Sequence, residues 1–333
     1  MASHLVRTGG KRLRPLITAF ASVAGTDGGP PDEDRTADRS DEAAASGTLD
    51  GIDERRLDTQ LDGVSDAAVT GAVAVELVHV GSLHHDDVID EAETRHNVQS
   101  VNARWGNLRA ILSGDFLLAR ASELAAPLGS EVAELLAATI GKLCQGEVRE
   151  LVYAYQVDRS EDEYFAAIRD KTAALYSTAA RVGGLVSRLP RARIEALSEF
   201  GRHFGMAFQI VDDVLDVVAS DEQLGKPAGH DMAEGVYNLP VLRALQGPRG
   251  NELRSLLGAP LDDSARTRAR DLVRMSQGVA EAMQVARSYV SQAIATLASV
   301  GSDAATHALA EAASSLMGRL DGTSIEPHGE LAP

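Results

Sequence analysis

Two copies of one acidic word stand 126 residues apart in this chain: DDVID at 86–90 and DDVLD at 212–216. On a helix, Asp86 and Asp90 share one face at i and i+4, with Asp87 about 100° round from Asp86. Asp212, Asp213 and Asp216 repeat the geometry. Three close carboxylates repel one another and weaken a helix unless cations neutralise them. Mg²⁺, a hard cation, takes one or two protein carboxylates and fills its shell with waters and substrate phosphates. Two such faces turned toward each other would hold several metal ions with a diphosphate between them. A single Asp pair is usually a solvated face, but two matching triads inside apolar sequence point to a metal–diphosphate site.

Other residues suit the same chemistry. The word GGKRLRP at 9–15 packs three cations at a helix start. Glycine lets backbone amides approach an anion, while lysine supplies point charge and arginine a planar fork for phosphate. His79 precedes Asp86 by seven residues, about two turns along the same helix. Lys171 and Thr172 sit together against the apolar run Ala173, Ala174, Leu175, Tyr176, which favours a site over a solvated surface.

The elements that carry these residues read almost entirely as helix. Ala-, Leu- and Val-rich stretches cover about 66–90, 107–125, 130–156, 161–187, 191–219 and 278–320, with apolar residues at three- and four-residue spacing. Strand-like alternation is nearly absent, so the fold class is all-α. Residues 25–66 break the pattern, with 13 acidic against 4 basic residues, a net of −9 out of −17 for the whole chain. Such composition does not repay ordering entropy, so the segment is expected to be a disordered insertion, with room for a short helix near 52–61. Residues 322–333 are expected to form a flexible tail, leaving one domain over 1–321. The net charge argues against nucleic acid as a partner. One cysteine, Cys144, no run of about 18 apolar residues and no apolar core in 1–16 together give a cytoplasmic expectation.

Taken in order, GGKRLRP, HHDDVID, Lys171-Thr172, Phe208-Gln209, IVDDVLD and Gly225-Lys226-Pro227 resemble the trans-isoprenyl diphosphate synthases, the polyprenyl synthetase family. The match runs from Gly9 to about Arg319, without the acidic insertion. The resemblance implies a helical bundle around a central tunnel and a reaction in three parts. An allylic diphosphate (geranyl, farnesyl or geranylgeranyl) ionises, the cation alkylates isopentenyl diphosphate, and a proton is lost. It implies about three Mg²⁺ held by Asp86, Asp90 and Asp212, with Asp87, Asp213 and Asp216 supporting them directly or through water. Lys171 and Lys226 would neutralise phosphate, while Thr172 and Gln209 offer oxygen dipoles to the allylic cation without trapping it. Lys11, Arg14 and His79 would hold the second diphosphate. Glu147 and Glu150 sit where the family places polar groups that brace the first aspartate cluster.

Three departures stand out. The family's two arginines after the first aspartate motif read Arg95-His96 here, and histidine is only partly charged near neutrality. A lysine expected after the second motif is replaced by Val236. Only eight residues precede GGKRLRP, where the family carries a helix, which suggests a misplaced start, a truncated product or greater reliance on a partner chain. In this family the helix entering the first motif lines the tunnel for the growing tail. Ser82, Val78 and Val75 lie four, eight and eleven residues upstream of Asp86, with Gly81 beside Ser82. None is a bulky aromatic, so the product is expected to pass twenty carbons, and the run at 84–107 resembles synthases of long quinone side chains.

The expectation is therefore a homodimeric, Mg²⁺-dependent long-chain polyprenyl diphosphate synthase. It would serve menaquinone synthesis and hand its product to a membrane enzyme. A geranylgeranyl-type synthase making twenty carbons is the nearer rival, and a weakly active subunit of a hetero-oligomeric synthase the more distant one. A class I terpene cyclase fits poorly with Lys11, Arg14 and a second complete aspartate triad.

Overall fold

Apolar residues at helical spacing become helices throughout the computed structural model, which describes residues 1–2, 4, 12–25, 63–95, 98–224 and 227–321. Lys11, His96, Lys226, most of the acidic insertion and the tail from 322 lie outside the described residues. The helices that matter here are α1 (Leu13–Val23), α2 (Asp66–Ile89), α3 (Val101–Trp105), α4 (Asn107–Ala125), α5 (Ser130–Tyr153) and α6 (Glu161–Ile168). They continue as α7 (Ala174–Val186), α8 (Arg191–Val218), α9 (Asp221–Leu224), α10 (His230–Ala233), α11 (Leu239–Leu245) and α12 (Gly250–Leu256). The chain ends in α13 (Asp263–Arg274), α14 (Gly278–Leu297) and α15 (Ala304–Asp321). Strands β1 (Thr94–Arg95) and β2 (Val98–Gln99) pair antiparallel, Arg95 opposite Val98, in a small hairpin absent from the helical reading of the sequence.

The chain forms two compact units. One comprises Met1–Leu136, Thr178–Ser198 and Thr296–Ala312; the other comprises Ala137–Ser177, Glu199–Ala295 and Ala313–Pro333.

In the first unit α1 and α4 pack on α2. Ser65 starts α2 by accepting the Ala68 amide at 3.2 Å, which satisfies one of the first-turn donors. Val75 and Val78 are wholly buried, each such valine contributing about 1.5–3 kcal/mol of transfer free energy. A Cβ on Gly114 would sit 2.3 Å from His85 Nε2 and 2.9 Å from the Gly81 carbonyl oxygen, so only glycine lets α4 come this close beneath the first acidic motif. Val80, Val101, Ala110 and Leu117 complete a core joining α2, α3 and α4. Among the described residues, α2 alone is long and apolar enough to cross a membrane by length and composition, and half of that stretch is buried inside the fold.

In the second unit α8 buries Phe200, Phe204, Ile210, Val211, Val214 and Val217. The helix expected over 161–187 is interrupted by a π-helical turn, Arg169–Ala173, which carries Lys171 and Thr172. π-bulges hold one residue more per turn than an α-helix and recur at functional sites.

The helix expected over 278–320 also breaks, at 298–303, back in the first unit. There Asp303 accepts the Thr306 amide at 3.0 Å and restarts the helix, as an N-cap does. Its other oxygen accepts the Gly25 amide at 2.6 Å, which anchors the first residue of the acidic segment.

Candidate active site in two carboxylate clusters

The first cluster closes α2. Asp86 is half-buried and Asp90, the C-cap, is exposed, whereas Asp87 is fully buried. Arg95 in β1 reaches back to Asp87 with Nε at 2.8 Å and Nη2 at 2.7 Å from the same carboxylate oxygen. Sequence reading gave Arg95 to a substrate diphosphate; the fold also makes it the counter-ion of the middle aspartate. Asn102, which the sequence did not single out, donates to the Asp87 carbonyl at 2.9 Å and to that of Ala92 at 3.0 Å, tying the helix end to α3. His84, two residues before Asp86, is fully buried, and burial followed by the charge of His85 brings its pKa down to about 4.

Basic residues gather two to three turns further back on α2. Arg12, with backbone in the left-handed region, starts α1, and its Nη1 meets Glu76 at 2.5 Å. Glu76 precedes His79 by three residues, so this pair seats the head of α1, with Arg14 in its first turn, beside the turn of α2 that carries His79. Along α2, Gly81 faces Gly114 and Leu118 of α4, Ser82 is half-buried with its hydroxyl donating to the His79 carbonyl at 2.8 Å, and Val75 and Val78 point into the core.

The second cluster is held differently. Asp213 is nearly buried; Tyr164 donates its hydroxyl to one carboxylate oxygen at 2.5 Å and Gln209 its amide to the other at 2.8 Å. Thr172 donates to the Gln209 side-chain oxygen at 2.7 Å, so Thr172, Gln209, Asp213 and Tyr164 form one connected chain. Burial pushes the Asp213 carboxyl well above the usual range, Asp231 adds to it, and the bonds from Tyr164 and Gln209 oppose it. Asp216 is also buried; its carbonyl accepts the Gly229 amide at 2.8 Å and its carboxylate the Asp231 amide at 3.3 Å. Arg270 of α13 caps the end of α8, Nε donating to the Val217 carbonyl at 2.7 Å and Nη2 to that of Ala219 at 2.6 Å, where C-terminal carbonyls favour a cation. Asp212, at the surface of this cluster, meets Arg319 of α15 at 2.7 Å.

Lys171 stands on the π turn between Glu147, at 2.7 Å, and Glu150. A Cβ on Gly146 would lie 2.5 Å from the Lys171 backbone nitrogen, so the glycine lets α5 bring both glutamates under this lysine. Arg149 pairs with Asp170 on the same turn. The structure thus places Glu147 and Glu150 with Lys171, while Asp86, Asp87, Asp90, Arg14, His79 and Arg95 belong to the first unit. Tyr164, Asp231, Asn102, Arg270 and Arg319 escaped sequence reading. Asp231 alone carried a signal, as an aspartate shortly after the second motif.

No three histidine, cysteine, aspartate or glutamate side chains converge as a ready metal cage among the described residues. In both triads the middle carboxylate is buried against protein partners; Asp86, Asp90 and Asp212 reach solvent, whereas Asp216 is buried. That donor set suits Mg²⁺, which binds through one or two carboxylates and completes its shell with water and phosphate.

A family model described as Polyprenyl synthetase matches residues 1–274. The chain is 38% identical over 293 residues to a nonaprenyl diphosphate synthase of Mycobacterium tuberculosis, spanning 87% of this chain and 77% of that one. It is 32% identical over 294 residues to heptaprenyl diphosphate synthase component 2 of Geobacillus stearothermophilus, spanning 88% and 81% of the two chains. Among solved structures, a polyprenyl synthase from Caulobacter crescentus, complexed with calcium and isoprenyl diphosphate, matches with a TM-score of 0.80 and 32% identity over 96% of this chain and 88% of that one.

Proposed function

The chain belongs to the polyprenyl synthetase family, and we propose that it is an all-trans long-chain polyprenyl diphosphate synthase that adds isopentenyl diphosphate units in sequence to an allylic diphosphate. It is a prenyltransferase. The observation that carries this reading is the pair of acidic motifs whose middle carboxylates are buried and internally held while Asp86, Asp90 and Asp212 stay accessible. We read residues 1–321 as one catalytic domain, on a family match that runs through both units.

Divalent metal, as Mg²⁺ and about three ions per site, would supply Lewis acidity and charge for the departing diphosphate. Asp86, Asp90 and Asp212 would hold it, with Asp216 and Asp231 behind Asp212. Lys171, paired with Glu147 and Glu150, would meet the phosphate charge together with Lys226. The allylic carbon–oxygen bond breaks with its electron pair leaving on the diphosphate. The isopentenyl double bond then attacks the cation, and the adduct gives up a proton to the released diphosphate, its C–H electron pair re-forming a double bond. Thr172 and Gln209 present oxygen dipoles to that cation; neither is a nucleophile strong enough to capture it. Lys11, Arg14, His79, Arg95 and His96 hold the isopentenyl diphosphate, which must not ionise and so rests on protein cations.

The product serves as the side chain of a respiratory quinone such as menaquinone, made in the cytoplasm and passed to a membrane enzyme. The chain works as a homodimer. Leu108, Ile111, Leu112 and Phe116 form an exposed apolar stripe on α4, from 41% to 71% exposed, at the spacing of one helix face. The resemblance to a chain named as component 2 favours a second reading, in which a different subunit completes the enzyme.

A product assay by chain-length chromatography, with labelled isopentenyl diphosphate and three allylic starters, tests the reading. The purified chain alone is expected to release products beyond twenty carbons. Ser82→Phe is expected to shorten them to about fifteen or twenty carbons, because elongation gains about 0.8 kcal/mol per buried methylene until a side chain stops it. Wild-type products of twenty carbons would establish the geranylgeranyl-type alternative, and no turnover without an added subunit would establish the partner reading.

A further inference from the structure

Arg319 lies on α15, beyond residues 1–274 that the family model matches, and none of the roles above falls to it. Its Nη2 is 2.7 Å from Asp212 Oδ1, and its guanidinium carbon is 5.4 Å from the centre of the Phe208 ring. Phe208 and Asp212 are one turn apart on α8, so the guanidinium spans that turn with an aromatic face on one side and a carboxylate on the other. Its Nη1 is buried and has no hydrogen-bond partner, so the protein satisfies this cation only in part.

We propose that Arg319 is a displaceable counter-cation of Asp212: it latches α15 to the second acidic motif and is released when a divalent ion takes that carboxylate. The proposal rests on the reading of Asp212 as a metal ligand. A guanidinium and a divalent ion repel each other and compete for one oxygen. The pair is accessible to solvent, 24% on the arginine and 35% on the aspartate, which makes it weak enough to exchange. Linkage then requires reciprocity: the latch weakens metal binding by the factor by which metal weakens the latch.

The test uses the full chain and Mg²⁺ alone, with affinity measured by calorimetry and amide hydrogen exchange followed over residues 314–320 of α15. In the wild type, Mg²⁺ is expected to speed exchange there. Arg319→Met keeps an apolar stem on Phe208 and removes the charge. It is expected to exchange fast without metal and to bind Mg²⁺ about three- to tenfold more tightly, the factor that roughly 0.7–1.4 kcal/mol represents. Asp212→Asn loosens the latch from the other side, so α15 should exchange fast and ignore Mg²⁺; this decides the matter if Arg319→Met fails to fold. Unchanged or weaker Mg²⁺ binding in Arg319→Met, or wild-type exchange that ignores Mg²⁺ while the metal binds, overturns the latch alone. A wild-type chain that binds no Mg²⁺ overturns the metal reading and the latch with it.

Discussion

The two acidic motifs are near-copies as sequence, yet the fold supports them by opposite means. In the first, the middle carboxylate is neutralised by a guanidinium: Arg95 grips Asp87 from a hairpin that begins four residues after the motif ends. In the second, the middle carboxylate is fastened by hydrogen bonds from two neutral donors, Tyr164 and Gln209, and the charges that act on it include the Asp231 carboxylate and the Arg159 guanidinium. The first motif ends its helix, so its backbone is tied locally through Asn102. The second runs to the end of α8, where Arg270, 54 residues beyond Asp216, caps the carbonyls that follow. The first middle carboxylate is therefore held by a charged partner eight residues away, the second by neutral hydrogen bonds from one partner a turn away and one 49 residues away. The shared word makes the middle carboxylate of each motif a buried one, whereas the last is exposed at Asp90 and buried at Asp216; the supports decide how each site responds to substitution and pH.

The largest effect should be common to both motifs. Asp86→Ala and Asp212→Ala are each expected to lower turnover at least about a hundredfold, or about 2.7 kcal/mol of barrier, with helical circular dichroism unchanged. If either variant keeps more than about a tenth of the rate, that motif does not serve the chemical step and the comparison loses its functional half.

The middle aspartates should separate the two supports. Asp87→Asn leaves the Arg95 guanidinium, 28% exposed, facing a neutral amide, and is expected to cost about 2 kcal/mol in a denaturant titration. Asp213→Asn replaces a carboxyl that burial already drives toward its neutral form; the amide oxygen still accepts from Tyr164, and a flip of the Gln209 amide lets its oxygen accept from the new NH2 while its own NH2 donates to Thr172, so a change within about 1 kcal/mol is expected. Equal losses at the two positions would show that charge and neutral donors support the motifs alike.

The smallest effect concerns acid. His84 on α2 is neutral in the fold, with a pKa near 4 against 6.5 for an ordinary histidine. Below 6.5 the unfolded chain binds a proton that the folded chain resists. Its contribution to stability is therefore complete above about 6.5, falls as pH drops toward 4, and changes no further below that. His84→Leu should flatten the fall of melting temperature over this window. His203 on α8 also has its pKa lowered, by burial and then by Arg202, and its response should persist in that variant. A wild type and a variant with the same acid slope would refute the assignment.

Much of this was legible beforehand. Helices at 66–89, 107–125 and 191–218 follow from apolar spacing, with ends within a residue or so of expectation, because a side chain's place on a helix face depends on local periodicity. The breaks were less legible. The π turn at Arg169–Ala173 has no pattern of its own and is set by contacts with α5, whereas the break before α15 had its N-cap aspartate in plain view.

The sequence by itself determined that six aspartates occur as two helical triads, that basic residues accompany them, and that the chain is all-α, since residue type and periodicity are local properties. Only tertiary structure decided that Arg95 neutralises Asp87, that Tyr164 and Gln209 hold Asp213, that Glu147 and Glu150 flank Lys171, and that Arg319 reaches Asp212 from 107 residues away. Apart from Gln209, one turn before Asp213 on α8, those partners come from separate elements. Which donor meets which carboxylate depends on how closely helices approach, and that distance is set by small residues such as Gly114 and Gly146, which mark no chemistry in the sequence.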